Sequence, residues 1–392
     1  MVYLARGGFW LTLGQGLSSI AGFILSIAFA NLLSQETYGV YKYILSIGGI
    51  IGIFSLSGLN SALVRATANN KDGTFLKMFW VSIRWGAVVA FLGAAISAYY
   101  FYKGNNIFAI GILIVGASTP LVDSLELYGS FLNGKKDFRR SGIYRALRSV
   151  ITSVGIIVLL FFTKEAVLLI AGYFFLHICS LAFLFKKSAS LHISNSEVDL
   201  DTFHLAKHTS IMTAFASFAE RIDSILVFQF LGPAQLAVYN FAQVIPVNIA
   251  GFVKNISTLA TPKYAIQEKE LAKKTLFQKS FKIFLVALVL VGTYIIFAPF
   301  LFLTFFPTYT ESIKYSQVYA LIILFSGGLP VALLDAHTAI KEKYTITFVG
   351  NSIKIIIITL GIILYGIAGL IVARVATKAI NVFLAYIYAK KI

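Results

Sequence analysis

Fourteen charged side chains stand inside stretches of sequence that are otherwise apolar. Nine are basic (Lys42, Arg84, Arg145, Arg148, Arg221, Lys254, Lys354, Arg374 and Lys378) and five are acidic (Asp123, Glu126, Glu220, Asp223 and Asp335), a surplus of four positive charges. The chemistry open to such a set is electrostatic: lysine and arginine hold phosphate or carboxylate through charge-assisted hydrogen bonds, arginine with two parallel donors. Covalent chemistry is not indicated, because the chain contains no HExxH, GxSxG, P-loop or CxxC pattern. Its single cysteine, Cys179, excludes a disulfide framework and a cysteine-based metal site. His177 is a lone histidine in an apolar run and reads as a packed side chain rather than a metal ligand. Asp199 and Asp201 have the form of an Asp-x-Asp metal-nucleotide motif, but with no nucleotide-binding domain around them they read as a solvated acidic patch. No cofactor and no metal are expected.

Composition says what must position these charges. Hydrophobic residues make up 58% of the 392 and charged residues 12%, with a mean hydropathy of +0.83. Soluble domains run at about 45–50% apolar and 25% charged, so the chain is expected to be an all-α integral membrane protein. A helix needs roughly 20 apolar residues to cross the hydrocarbon core. Such segments fall near 8–33, 38–64, 78–102, 107–133, 143–163, 166–186, 208–231, 234–262, 280–303, 316–338, 343–365 and 367–389, about twelve transmembrane helices. The first is too long for the core of a cleaved signal peptide and has no clear cleavage-site pattern.

The formal charge of +17 forms no stripe or module that would hold nucleic acid. It follows the loops instead. The termini and the loops on their side of the membrane carry twenty-one Lys and Arg, among them Arg6, Lys135, Lys136, Lys207, Lys263, Lys273, Lys343 and Lys390; the opposite loops carry three, Lys103, Lys164 and Lys314. The tendency of cytoplasmic loops to retain Lys and Arg places both termini in the cytoplasm. A shift of 198 residues aligns Leu33, Val40, Tyr41 and Tyr43 with Leu231, Val238, Tyr239 and Phe241. The repeats have the same orientation, as in transporters whose halves are related by an axis along the membrane normal. The expected domains are therefore a six-helix lobe at 1–186, a cytoplasmic linker at 187–207 acting as hinge or tether, and a second six-helix lobe at 208–392.

Depth separates the fourteen charges. Lys354 and Lys378 each lie twelve residues from Gly366, roughly 18 Å along a helix, which sets both near the midplane on adjacent antiparallel spans. Arg374 shares the helix face of Lys378, and Arg221 is also central. Charges at such depth cost about 2.5–3.5 kcal/mol each on insertion scales, so they are expected to face water or one another. Lys254 is intermediate; Lys42 and Arg84 sit near span ends, where they either snorkel to the headgroups or serve the cavity. Asp123 and Glu126 are three residues apart, as are Arg145 and Arg148 on the next span; they form either an interhelical ion-pair lattice or a direct site for cargo or protons. Glu220, Arg221 and Asp223 likewise read either as an internal ion pair or as a functional site. Prolines 120, 246, 299 and 330 fall inside spans and are expected to bend them. Tyr41 and Tyr239, at matching ends of the repeats, are candidates for a cavity mouth.

Three stretches carry a resemblance across nearly the whole chain: "GFWLTLGQGLSSIAGFILSIAFANLLSQETYGVYKYILSI", "ERIDSILVFQFLGPAQLAVYNFAQVIP" and "FFPTYTESIKYSQVYALIIL". They resemble the bacterial polysaccharide repeat-unit flippases for O-antigen and capsule, within the multidrug/oligosaccharidyl-lipid/polysaccharide exporter superfamily. The resemblance implies a MATE-like fold, two six-helix lobes around a central cavity, in the bacterial inner membrane. It implies a cargo of undecaprenyl-diphosphate-linked oligosaccharide, moved from the cytoplasmic to the outer leaflet by alternating access, with membrane lipids and polysaccharide polymerase machinery as partners. No short motif marks the binding residues, so they are assigned by depth: Arg221, Lys354, Arg374 and Lys378 for the pyrophosphate; Arg84, Arg145, Arg148 and Lys254 for entry; Glu220, Asp223, Asp123 and Glu126 for ion coupling. The rival readings are a drug/cation antiporter of the same superfamily, which favours a net negative cavity, and a membrane enzyme of glycan assembly, a polymerase or glycosyltransferase, which needs a site for chemistry that the short outer loops do not offer.

Overall fold

The structure is a computed structural model and describes residues 2–199, 202–337 and 339–391. Among them every regular element is helical. The helices are α1 (Val2–Leu32), α2 (Gln35–Ile51), α3 (Leu59–Ala68), α4 (Gly73–Tyr102), α5 (Asn106–Gly134), α6 (Phe138–Phe162), α7 (Ala166–His192), α8 (Thr202–Leu231), α9 (Pro233–Ile266), α10 (Lys269–Phe305), α11 (Ser312–Tyr319), α12 (Leu329–Ala336) and α13 (Ile340–Lys391). Ten helical stretches among the described residues are long and apolar enough to cross a membrane. The last of them, Lys341–Lys391, runs 51 residues and supplies two crossings, because it is broken at Gly366, whose φ of 59° lies in the left-handed region that favours glycine. The side chains of Arg6, Lys207 and Lys263, used above for orientation, lie outside the described residues, as do Leu200 and Asp201 of the Asp-x-Asp pattern.

Two expected spans are interrupted. The stretch expected as one helix over 38–64 stops at Ile51, passes through a tight turn at Gly52–Phe54 and resumes at Leu59. Its residues there, Ser55, Ser57 and Gly58, are weak helix formers, and other bonds replace the helical ones. Trp85 Nε1 donates to the carbonyl of Phe54 at 2.9 Å, and Gly58 N donates to Ser210 Oγ at 2.9 Å. The stretch over 316–338 breaks at Gly328, φ 59°. Pro330 therefore stands in the first turn of α12, where its missing N–H costs nothing, rather than bending a helix from within. Pro120 and Pro299 do lie inside α5 and α10.

The lysine-rich region near 263–282, expected as a loop, is mostly helix. Starting at Lys269, α10 runs 37 residues, roughly 55 Å at 1.5 Å per residue, well beyond the roughly 30 Å hydrocarbon core.

The chain divides into two compact units, Met1–Arg221 and Ile222–Ile392. In unit 1, α4 lies along α5, α1 along α6 and α5 against α7. Small residues permit this closeness, as at membrane helix interfaces generally: a Cβ on Gly93 of α4 would stand 2.7 Å from Gly116 Cα of α5. Aromatic packing closes one end of the unit, with Phe75 stacked on Phe131 at 4.3 Å between centroids. In unit 2, α9 packs against α11 and α12, and α12 against α13.

The polar stretch after α7 is fastened to unit 1. Asp72, fully buried, pairs with Lys135 Nζ at 2.6 Å and accepts from Ser194 N (3.0 Å) and Ser194 Oγ (2.7 Å). Asn195 Nδ2 donates to Asn70 O at 2.7 Å, and Asp199 N donates to Thr74 Oγ1 at 2.8 Å. Burial alone would push the Asp72 carboxyl up, but Lys135 and the two Ser194 donors outweigh it and hold the group below its ordinary value.

Candidate functional site

Unit 1 contains an open cavity of about 410 Å³ whose wall mixes apolar and polar groups. Gly48 and Gly49 bring the backbone of α2 close to it, and the break after α2 adds Gly52, Ser55 and Ser57. Thr119 and Asp123 enter from α5, Tyr173 and His177 from α7, and Arg221 from the end of the unit 1 part of α8. Arg221 fits there because Gly49 has no side chain: a Cβ at that position would run into the guanidinium. The cavity thus holds one carboxylate and one guanidinium, which cancel in formal charge and suit a polar guest. A smaller space of about 70 Å³, lined by Asn60, Ser82 and Glu126, shares Ser55, Ser57 and Asp123 with it.

The lattice expected between α5 and α6 forms in part. Arg148 Nη1 pairs with Glu126 Oε1 at 2.5 Å. Arg145 instead donates to Gln15 Oε1 of α1 at 3.1 Å, and Asp123 lines the two cavities. Arg84 on α4 is exposed, and Lys42 lies over the ring of Tyr38 at 5.4 Å.

In unit 2 the central charges are closed in. Asp223 is 2% exposed and accepts from Arg374 Nη2 at 2.9 Å and from Tyr239 Oη at 2.5 Å through Oδ2, while its Oδ1 accepts from Ser224 N at 2.8 Å. The ion pair within 220–223 is therefore not formed by Arg221; the partner of Asp223 comes from α13, 151 residues later. Tyr239 is fully buried and Tyr41 is 3% exposed, so neither repeat tyrosine opens onto a cavity mouth. Lys354 is 3% exposed, whereas Lys378, one turn after Arg374, is half-buried. Lys254 and Glu220 are exposed, and Asp335 pairs with Lys343.

Depth arguments missed His177, Tyr173 and Thr119 as cavity residues. The available signal was spacing: Tyr173 and His177 are one turn apart on α7, and their rings stack at 5.3 Å. Among the described residues no cluster of His, Cys, Asp or Glu could hold a metal ion.

The sequence matches the profile of the family described as "Polysaccharide biosynthesis protein" over residues 4–262. No curated protein matches it. Among solved structures, the lipid II flippase MurJ in an inward closed conformation superposes with a TM-score of 0.75 at 15% identity, over 97% of this chain and 87% of that one. A multidrug resistance MATE family transporter of the MOP superfamily superposes with a TM-score of 0.69 at 13% identity in its outward-facing conformation, over 99% and 95%. The inward-facing conformation gives 0.66 at 15%, over 99% and 93%. The chain belongs to the polysaccharide biosynthesis protein family, and its fold is that of the MurJ flippase and the MATE transporter of known structure.

Proposed function

We propose that the protein is a flippase for lipid-linked oligosaccharide, carrying undecaprenyl-diphosphate-linked repeat units from the cytoplasmic to the outer leaflet of the bacterial inner membrane for cell-surface polysaccharide assembly. The observation that carries this reading is a guanidinium, Arg221, opening onto a polar cavity inside an apolar helical unit, in a chain whose spans hold four more positive than negative charges. An anionic headgroup balances that surplus; a cationic drug would add to it. The family description supports a glycan cargo.

In this reading the diphosphate is drawn by Arg221, Lys354, Arg374 and Lys378, with Arg84, Arg145, Arg148 and Lys254 helping it enter from the cytoplasmic side. Arg221 acts first, because its cavity is already formed; Lys354 and Arg374 are buried within unit 2 and engage only when the protein changes state. Arginine offers two parallel donors to a phosphate, and such bonds are about twice as strong as neutral ones. Asp123, with Glu126 beside it, is the accessible candidate for ion coupling; Asp223 and Glu220 are the candidates in the second half. Transport proceeds by alternating access, and a polymerase takes up the product on the far side.

The test is complementation of a flippase-null cell. A Lys354→Ala/Lys378→Ala variant that inserts normally is expected to restore little or no surface glycan, with complete lipid-linked repeat units retained on the cytoplasmic leaflet. Restoration to the wild-type level removes both lysines from the site. A cell whose lipid-linked intermediates are incomplete rather than trapped points instead to a defect in glycan assembly.

A further inference from the structure

In unit 2, α10, the turn before α12 and the second half of α13 enclose a groove of about 370 Å³. Its wall is almost entirely carbon, supplied largely by Phe277, Phe281, Phe284, Phe325, Phe383 and Tyr386. It is open: Phe277 is 61% and Phe383 63% exposed. Its place along the helices is fixed by numbering. Phe277 is eight residues from the start of α10 and Tyr386 five from the end of α13, roughly 12 Å and 8 Å along the axes. Both of those helix ends are the basic ones, so the groove occupies the leaflet half next to them.

Cations stand at its mouth. Lys390 Nζ lies over the ring of the groove residue Tyr386 at 5.1 Å. Lys273 is one turn before Phe277 on the same helix face, where it pairs with the exposed Glu270 at 3.0 Å. In a bilayer, apolar character alone selects nothing, because lipid tails are as apolar as the protein. Selection has to come from shape and from charge. An aromatic-walled groove accommodates a chain with a methyl branch at regular intervals, and ammonium groups one turn beyond its end meet a phosphate at the headgroup level.

We propose that this groove seats the polyprenyl tail of the transported lipid, with its diphosphate held at Lys273 and Lys390, as the loading position on the cytoplasmic leaflet. The inference rests on the lipid-linked cargo argued above and adds to it a tail site, distinct from Arg221 and its cavity. The diphosphate reaches Lys273 as that lysine exchanges Glu270 for the stronger acceptor. Sugar identity has no part in this step, so the bare carrier lipid is expected to bind as well as the loaded one.

The experiment uses the full-length protein in lipid nanodiscs and undecaprenyl phosphate bearing a photoactivatable diazirine in its tail, with the labelled peptides mapped by mass spectrometry. Label is expected on 277–284 and 379–386, competed by unlabelled undecaprenyl phosphate and not by a tenfold excess of phosphatidylglycerol, as an estimate of useful contrast. Ala379→Trp, which fills the groove, and Phe281→Ala, which removes a wall without adding bulk, are each expected to lower that label about tenfold and threefold respectively. Lys273→Gln/Lys390→Gln is expected to weaken half-saturation about tenfold. Equal competition by phosphatidylglycerol identifies an ordinary lipid contact and overturns the proposal, as does label on these peptides that neither groove variant changes. Label confined to other helices overturns the groove while leaving the flippase reading intact; no label on any part of the protein overturns both.

Discussion

The two units carry the same chemistry in opposite conditions. In unit 1, Asp123 and Arg221 face a polar cavity of about 410 Å³. In unit 2, Asp223 and Arg374 are locked in a direct ion pair at 2.9 Å, with Tyr239 and the Ser224 N–H also donating to the carboxylate. Arg221, Asp223 and Arg374 stand at similar depth by residue count, eight to ten residues from Leu231 or Gly366, so depth alone does not decide which charge is available to a guest. Partners decide it. A buried carboxylate with three donors is already satisfied, and taking one away leaves an uncompensated charge; a charge on a cavity wall can exchange its neighbours for cargo.

Breaking the unit 2 pair is expected to have the largest effect on stability. Asp223→Ala leaves Arg374 buried without its carboxylate and is expected to cost about 3–5 kcal/mol, read as a large fall in melting temperature of the purified protein in detergent. Asp223→Ala/Arg374→Met is expected to recover much of that loss, since a neutral, well-packed replacement of a buried pair is often tolerated. A single variant that melts with the wild type contradicts the locked pair.

Unit 1 sharpens the contrast from the other side. Arg221→Ala is expected to leave melting within about 1 kcal/mol, since its side chain is exposed, yet to reduce transport about tenfold or more. Arg221→Lys keeps the charge, loses the two-pronged geometry and is expected to fall between them. Filling the same space with Gly49→Val is expected to displace the Arg221 guanidinium and reproduce the transport defect with no change of charge. Glu126→Gln is milder. Its carboxylate is 46% exposed, and loss of the pair with Arg148 is expected to cost about 1 kcal/mol or less, diminishing further at high salt.

The smallest expected effect is on the strap formed by 194–199. Because the Asp72 carboxyl titrates below its ordinary value in the folded protein, its contribution is complete above the unfolded value of about 3.9 and is lost as pH falls through the folded one. Limited proteolysis within 193–199 is therefore expected to be slow and unchanged from neutral pH down to mildly acidic pH, and to speed up only below about pH 4. Asp72→Asn is expected to show fast cleavage at neutral pH already.

Much of the fold was legible because the bilayer imposes length. The apolar runs gave the crossings, and Gly366 marked the turn that divides α13. The breaks near Gly52 and Gly328 were not, because a few small polar residues inside a long apolar run do not shorten it enough to register; the compensating bonds from Trp85 and Ser210 come from distant sequence. The candidate site divides in the same way. Counting residues singled out Lys354 and Arg374, both of which are buried, and Arg221, which lines the cavity. That Asp223 chooses Arg374 over the adjacent Arg221 did not, since no periodicity links positions 151 residues apart. The repeat gave no warning either: the 198-residue shift places Leu25 where Asp223 stands, so unit 1 has no counterpart of that carboxylate. The linker near 187–207 read as a tether because it is polar; its first residues complete α7, and 194–199 are bound to unit 1 through Asp72, Asn70 and Thr74.

The central claim is that Arg221 on its cavity wall receives an anionic lipid headgroup. Equilibrium binding of undecaprenyl diphosphate to the purified protein and to Arg221→Gln tests it most directly. The account predicts affinity weaker by about tenfold or more in the variant, with an unchanged melting temperature. Equal affinity in the two proteins, or tighter binding of a lipophilic cation than of the diphosphate, contradicts it.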